Sequence, residues 1–271
     1  MVFMYGFLKT KNMINKEYED IIKAAVAGGE VLEKYFGEIL DITVKSRPSD
    51  VRTQADLGSE KAILEILSEK FPTYNIFAEE SGENNKNSEY TFVIDPLDGT
   101  NNFVLGIPYF SVGIGLIKED KIIFGVVYNP ILKNLYVAQE GRGAFLNDKK
   151  ICVNTEASME NSSVSLVVEY GDLIKLQERL TETLNRMGVK RCLTNWSCLL
   201  DFCLLASGKI EAIVFHDCPL HDFVPGKLIA KEAGAMITDF NGNMEKDEKS
   251  NTFLTTNGTK IHKELLEILK K

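Results

Sequence analysis

The chain has 271 residues, of which 44% are hydrophobic, and 31 basic against 39 acidic side chains give a formal net charge of -8. That length supports one large domain or two fused lobes around a sizeable core. An acidic balance with no Lys/Arg-rich patch argues against nucleic acid as a partner. No stretch is long and apolar enough to cross a bilayer, which argues against a membrane partner. The five cysteines (152, 192, 198, 203, 218) form no CxxC pair and read as reduced thiols of a cytoplasmic protein. With three histidines (216, 221, 262), a His-built zinc centre is not expected.

Residues 1–14 read as a loose extension rather than a signal peptide, because the lysines follow the apolar run. A start at Met1 or at Met13 is left open. Asn15 suits a helix cap, with Glu17, Glu19 and Asp20 in the first turn. Ile22, Ala25, Gly29, Leu32 and Phe36 then recur at helical spacing. Gly28-Gly29 weakens that helix, so another element is expected to pass close by. A second helix follows Thr53, carries Asp56 near its start, and stops before Pro72.

From Asn75 the pattern turns to strands. "NIFAEE" and "TFVID" are short apolar runs ending in acids, and "FSVGIGLI" and "IIFGVVYN" flank Lys118–Lys121 as a hairpin. "NLYVAQ" and "GAFLN" continue an antiparallel sheet. "SVSLVVEY" is followed by a helix near 172–187, a strand near Lys190 and a helix near 197–207 closed by Gly208. A strand over 211–215, a helix over 222–233 closed by Gly234, strands "AMITDF" and "TFLTT", and a helix over 259–270 complete the chain. This is an α/β (α+β) chain, a layered sandwich of antiparallel-rich sheets and helices with two lobes meeting near residue 155. No GxGxxG follows a strand and no GxxxxGK[ST] occurs, so it is not a nucleotide-binding Rossmann or P-loop array.

The chemistry gathers at "TFVIDPLDGTNNF" (91–103). Asp95 and Asp98 sit at the mouth of an apolar run with no lysine or arginine within five residues. Burying two carboxylates together raises the pKa of each, so they need protonation, cationic side chains or metal. Hard divalent cations take oxygen ligands such as these. The plainer reading, solvated turn acids, is the competing one. Three features weigh against it: Glu79-Glu80 ends the preceding run, Gly99-Thr100 offers backbone N–H groups at a helix start, and Asp222 precedes Pro225, which suits a first helical turn. His221 reads as a pocket-wall or surface residue rather than a ligand. Asp56 by itself reads as an ordinary helix-start acid.

"DPLDGTNNF" resembles the first signature of the inositol monophosphatase family, the Mg²⁺-dependent, lithium-sensitive phosphatases. The resemblance extends over "KSRPSDVRTQAD" (45–56), "FAEES" (77–81), "FSVGIGLIKEDKIIFGVVYNP" (110–130), "GRGAF" (141–145) and "HDFVPGKLIAKEAGAMITD" (221–239). It implies an α-β-α-β-α sandwich, with an N-terminal lobe over 15–155 and a C-terminal lobe over 156–271. It also implies two or three Mg²⁺ ions held by Glu79, Asp95, the Leu97 carbonyl, Asp98 and Asp222, with Glu80 assisting through a bound water. Gly99 and Thr100 are then expected to hold phosphate, with Asp98 and Asp222 facing the substrate. Glu79 and Thr100, the latter oriented by Asp56, are expected to activate the attacking water.

The substrate wall departs from the family pattern. His221 replaces the usual Trp, Pro225 a small residue, and Trp196 a glycine. Phe215 stands where inositol-preferring members carry glutamate, so Trp196 and Phe215 are expected to line the substrate. The resemblance implies hydrolysis of a small polyol or sugar phosphate by a homodimer. Fructose-1,6-bisphosphatase, histidinol-phosphatase and 3'-phosphoadenosine 5'-phosphate phosphatase are the alternatives; Lys190 and Arg191 are candidate cations for a second phosphate, although a solvated strand end is the favoured reading of both. A non-catalytic sugar-phosphate-binding regulator is the reading from a different class.

Overall fold

The computed structural model of the chain describes residues 14–168, 174–245 and 248–270. The N-terminal extension before residue 14, the end of "SVSLVVEY" and the start of the helix expected near 172 lie outside these residues.

Two helices pack against each other at the start: α1 (Glu19–Tyr35) and α2 (Gln54–Lys70). Close neighbours explain the paired glycines, the second helix for Gly28 and the first sheet for Gly29. A Cβ on Gly28 would come within 2.8 Å of Ser59 Oγ, and one on Gly29 within 2.6 Å of the Tyr128 ring. Asn15 does not cap α1. It precedes a 3₁₀ turn (Lys16–Tyr18), and its side chain donates instead to Glu17 Oε1 at 3.2 Å. A short ribbon, β1 (Ile42–Val44) and β2 (Val51–Thr53), joins the helices. Thr53 and Asp56 close α2 with a reciprocal capping box.

Eight strands form the first large sheet: β3 (Asn75–Ala78), β4 (Gly82–Asn84), β5 (Tyr90–Asp98), β6 (Ser111–Lys118), β7 (Lys121–Asn129), β8 (Asn134–Gln139), β9 (Gly143–Leu146) and β10 (Lys149–Ile151). Their order is β10-β9-β8-β7-β6-β5-β3-β4. All neighbours are antiparallel except β3 and β5. The expected β6–β7 hairpin is present, with Lys118 paired to Lys121. A short helix, α3 (Thr100–Val104), follows β5.

The second sheet has five strands in the order β12-β11-β13-β15-β14: β11 (Ser163–Val168), β12 (Arg191–Leu193), β13 (Ala212–His216), β14 (Met236–Thr238) and β15 (Thr252–Thr256). Helices α4 (Ile174–Arg186) and α7 (Ile261–Leu269) share one apolar cluster with β11, β13 and β15. Helices α5 (Cys198–Ala206) and α6 (Val224–Glu232) supply a second cluster that reaches both sheets. A third joins α1 and α2 to the outer face of the first sheet. The layers therefore run α-β-α-β-α, as the sequence implied.

The middle layer sits close because the strands facing it carry no side chain at key points. A Cβ on Gly113 would lie 2.2 Å from Leu199 Cδ1, and one on Gly125 2.6 Å from the Pro225 carbonyl oxygen. These strand glycines let the start of α6 rest directly on β7.

Candidate metal-binding active site

In a regular strand, residues three apart point to opposite faces. Asp95 and Asp98 escape this because β5 is irregular between them. Asp95 pairs with Gly113 and Asp98 with Ser111, so β5 carries one extra residue in that interval. Pro96 lies in it and has no N–H to continue the ladder. This bulge re-aims the strand end, and both acids line one cavity of about 230 Å³. Leu97, Gly99 and Thr100 line it as well.

Strand β3 runs parallel to β5 with Ala78 opposite Ile94, which sets Glu79 beside Asp95 and into the same cavity. Asp222 arrives from the far half of the chain, in a 3₁₀ turn (Leu220–Asp222) just before α6. It stands just ahead of the helix, at the start where the sequence reading expects a cap or a ligand. Pro225 occupies the first turn of that helix, as expected.

Burial and mutual repulsion dominate the electrostatics. Burial pushes the Asp95 carboxyl well up, and Glu79, Asp98 and Asp222 push it further. Burial raises Asp98 to about 7, against hydrogen bonds donated by Ser197 Oγ at 2.6 Å and Ser111 Oγ at 2.8 Å. Glu79 is also raised by burial, opposed by Lys45. Asp56 is fully buried behind the cavity and is raised by burial to about 6. Its Oδ2 accepts from Thr53 N at 2.8 Å and Thr53 Oγ1 at 2.6 Å. Its Oδ1 lies 3.2 Å from Thr100 Oγ1, which is also 3.0 Å from the Leu97 carbonyl.

Sequence reasoning missed the cation. Lys45, just past β1, pairs with Glu79 at 2.8 Å and Glu80 at 2.5 Å. Arg52 adds a 3.3 Å contact to Glu80. Glu80 is thus held by two side-chain cations rather than standing free toward the cavity. The only sequence signal was the "KSRPSDVRTQAD" segment, where Lys45 is 34 residues from Glu79 and no spacing rule connects them. The sequence reading also missed Ser111, Ser197 and the buried Asp201. Asp201 accepts from Tyr109, Asn195 and Ser165.

One expectation fails. Phe215 does not line the cavity. It is fully buried and stacks on Phe253 with centroids 4.8 Å apart, inside an aromatic cluster with Phe202 and Phe223. Lys190 and Arg191 are solvated at a strand end, the favoured reading of both: they are exposed, do not line the cavity, and Arg191 Nη1 donates to the Lys190 carbonyl. Trp196, in contrast, does line it and is 52% exposed. His221 also lines it, against the Phe77 ring, and burial lowers its pKa to about 4.

Among the described residues, no three acids, thiols or imidazoles are drawn close enough to grip an ion as they stand. Glu79 turns to Lys45, and Asp98 Oδ2 is taken by two serines. The donor set itself, carboxylates and a carbonyl around one cavity, is all oxygen and suits a hard divalent cation.

The profile of the inositol monophosphatase family matches residues 15–271. The chain belongs to that family. A fructose-1,6-bisphosphatase/inositol-1-monophosphatase of Aquifex aeolicus is 32% identical over 232 residues, covering 82% of this chain and 86% of the relative. The Nus factor SuhB of Pasteurella multocida is 34% identical over 233 residues, covering 82% of this chain and 84% of the relative. Among solved structures, the extragenic suppressor protein suhB of Bartonella henselae superposes with a TM-score of 0.86 at 31% identity, covering 93% and 97% of the two chains. The family membership indicates a phosphatase of this superfamily. No helix among the described residues is long and apolar enough to cross a membrane.

Proposed function

We propose that this family member is a Mg²⁺-dependent phosphatase that hydrolyses the phosphate monoester of a small polyol or sugar. The observation that carries the reading is the gathering of Glu79, Asp95, Asp98 and Asp222 around one cavity, from three separate parts of the chain. Carboxylates this buried carry a standing cost unless a cation or proton meets them.

Glu79, Asp95, Asp98, Asp222 and the Leu97 carbonyl would hold two or three Mg²⁺ ions, which supply an activated water and neutralise charge on the phosphate and the departing alkoxide. The remaining work falls to the chain. Backbone N–H groups of Gly99 and Thr100 hold the phosphate oxygens. Thr100 Oγ1, anchored by Asp56, accepts a hydrogen bond from the attacking water and aligns it, while Glu79 takes up its proton. In the metal-free protein Lys45 pairs with Glu79 and favours its ionised form, and it turns away when the ions bind. Phosphoryl transfer needs positioning and charge neutralisation more than covalent help, so no cysteine or histidine nucleophile is required. The same reading includes inhibition by Li⁺, a homodimer and a cytoplasmic setting.

The bisphosphate alternative loses Lys190 and Arg191 as its second-phosphate cations, although Arg47 lines the cavity. The test is phosphate release from inositol 1-phosphate, fructose 1,6-bisphosphate, histidinol phosphate and 3'-phosphoadenosine 5'-phosphate, with and without Mg²⁺ and Li⁺. Asp98→Asn and Asp222→Asn are expected to remove turnover by at least about a thousandfold, with a native circular-dichroism spectrum. Unchanged rates in Mg²⁺-replete buffer would refute the assignment. Binding of Mg²⁺ and phosphate without release from any ester would instead favour the non-catalytic regulator.

A further inference from the structure

A second, smaller pocket of about 120 Å³ adjoins the acidic cavity and shares Trp196, Cys198 and Asp222 with it. Its own wall is largely apolar: Leu166, Val167, Val168 and Cys218. Polar side chains come from Gln177, Thr194, Asn195, Ser197 and Asp201, the last two already hydrogen-bonded within the protein, and no Lys or Arg lines it among the described residues. A phosphate held over the acids would therefore direct its alcohol portion into this pocket, past Trp196.

Trp196 is set there at a conformational cost. Its φ is +57°, in the left-handed region where a bulky residue is a true outlier. The backbone is fixed on both sides of it. The Asn195 carbonyl accepts from Asn102 Nδ2 at 2.8 Å, and Ser197 Oγ donates to Asp98 at 2.6 Å. Behind it, a Cβ on Gly99 would lie 3.2 Å from the Trp196 carbonyl oxygen. A glycine would adopt this φ without strain, so a large aromatic kept there, half exposed at the junction of two pockets, calls for a role. An exposed indole face binds flat rings by stacking.

We propose that Trp196 is a specificity-determining residue that stacks on a single flat, unsaturated ring carried by the leaving alcohol, so that the enzyme prefers a ring-bearing phosphate monoester to a polyol phosphate. This rests on the phosphatase reading of the adjoining cavity. The size of the pocket limits the group to one ring, since a dry protein cavity of about 150 Å³ accommodates benzene. The wall favours the same choice. A polyol needs a hydrogen-bond partner for each hydroxyl it buries, and Leu166, Val167 and Val168 offer no side-chain partner.

Trp196 is the single tryptophan of the chain, so intrinsic fluorescence reports on this position alone. In the Mg²⁺-loaded full-length protein, benzyl phosphate and histidinol phosphate are expected to change the emission saturably. Inositol 1-phosphate and glycerol 2-phosphate are expected to leave it nearly unchanged. In parallel, the ratio of kcat/KM for benzyl phosphate over glycerol 2-phosphate is measured for the wild type, Trp196→Phe and Trp196→Gly. The ratio should fall at least about tenfold in the glycine variant, chiefly through KM, and be largely retained in Trp196→Phe. An unchanged ratio in Trp196→Gly, or equal fluorescence responses to ring and polyol esters, overturns the proposal while leaving phosphatase activity established. If no ester releases phosphate but the ring esters alone perturb the emission, the phosphatase reading fails and the stacking role stands. Should Trp196→Gly prove unfolded, Trp196→Leu supplies the same comparison without an aromatic face.

Discussion

Asp56 shows how much one buried residue is asked to do. It closes the first turn of α2 through Thr53 and, with its other oxygen, faces Thr100. Burial raises its pKa to about 6, roughly 3 kcal/mol of preference for the neutral form relative to a carboxyl in water. Asp56→Asn keeps the shape and the oxygen toward Thr100, yet turns a pure acceptor into a mixed donor and acceptor. Loss of a positioned proton-handling partner typically costs 10²- to 10⁴-fold. The expected result is a fall in kcat of about a hundredfold with the Mg²⁺ dependence little changed, measured by steady-state phosphate release at varied Mg²⁺. A rise in the Mg²⁺ requirement with kcat preserved would assign Asp56 to the ion site instead.

The elements position the acids through two features, the bulge in β5 and the close seating of α6 on β7. The second is testable. In Gly125→Ala the new Cβ meets the backbone of Pro225, which cannot swing away as a side chain would. Overpacking of this kind costs about 1–3 kcal/mol, and the shift passes along three residues to Asp222. Urea denaturation should show the loss, and phosphate release should fall with it. Stability and rate both at wild-type values would mean that the layer spacing does not set Asp222.

At this scale the sequence was largely readable. Periodicity located α1, α2 and the β6–β7 hairpin, and the turn residues Gly208 and Gly234 marked helix ends correctly, both with positive φ. What it could not show was pairing across distance. Lys45 reaches Glu79 only because β1–β2 folds back over the cavity, and Ser111 meets Asp98 only through sheet register. Phe215 misled because it was read from a position where family members carry glutamate, and an apolar ring there turns into the aromatic core instead.

For the whole molecule, the central fact is concentrated negative charge in a chain already at -8. Asp56 at about 6 and Asp98 at about 7 are both above the unfolded value of 3.8, and burial raises Glu79 and Asp95 too. A raised carboxyl keeps its proton in the native state after the unfolded chain has released its own. The metal-free protein should therefore lose stability as pH rises from about 4 to about 7. His221 acts in the opposite sense between about 4 and 6.5, since burial holds its native pKa down, but it is one group against several acids. Mg²⁺ must bind ionised ligands, so its stabilising effect should grow over the same range. Thermal melts at pH 5 and pH 8, with EDTA and with Mg²⁺, check both signs. A larger Mg²⁺ shift at pH 5 than at pH 8 would contradict the assignment of these acids to the metal.

The most direct measurement is anomalous diffraction from crystals grown with Mn²⁺ and inorganic phosphate. The account predicts manganese peaks within bonding distance of Glu79, Asp95, Asp98 and Asp222, with Lys45 turned away from Glu79 and phosphate against Gly99 and Thr100. Well-ordered crystals showing manganese elsewhere, with Glu79 still held by Lys45 and Asp98 by the two serines, would contradict it.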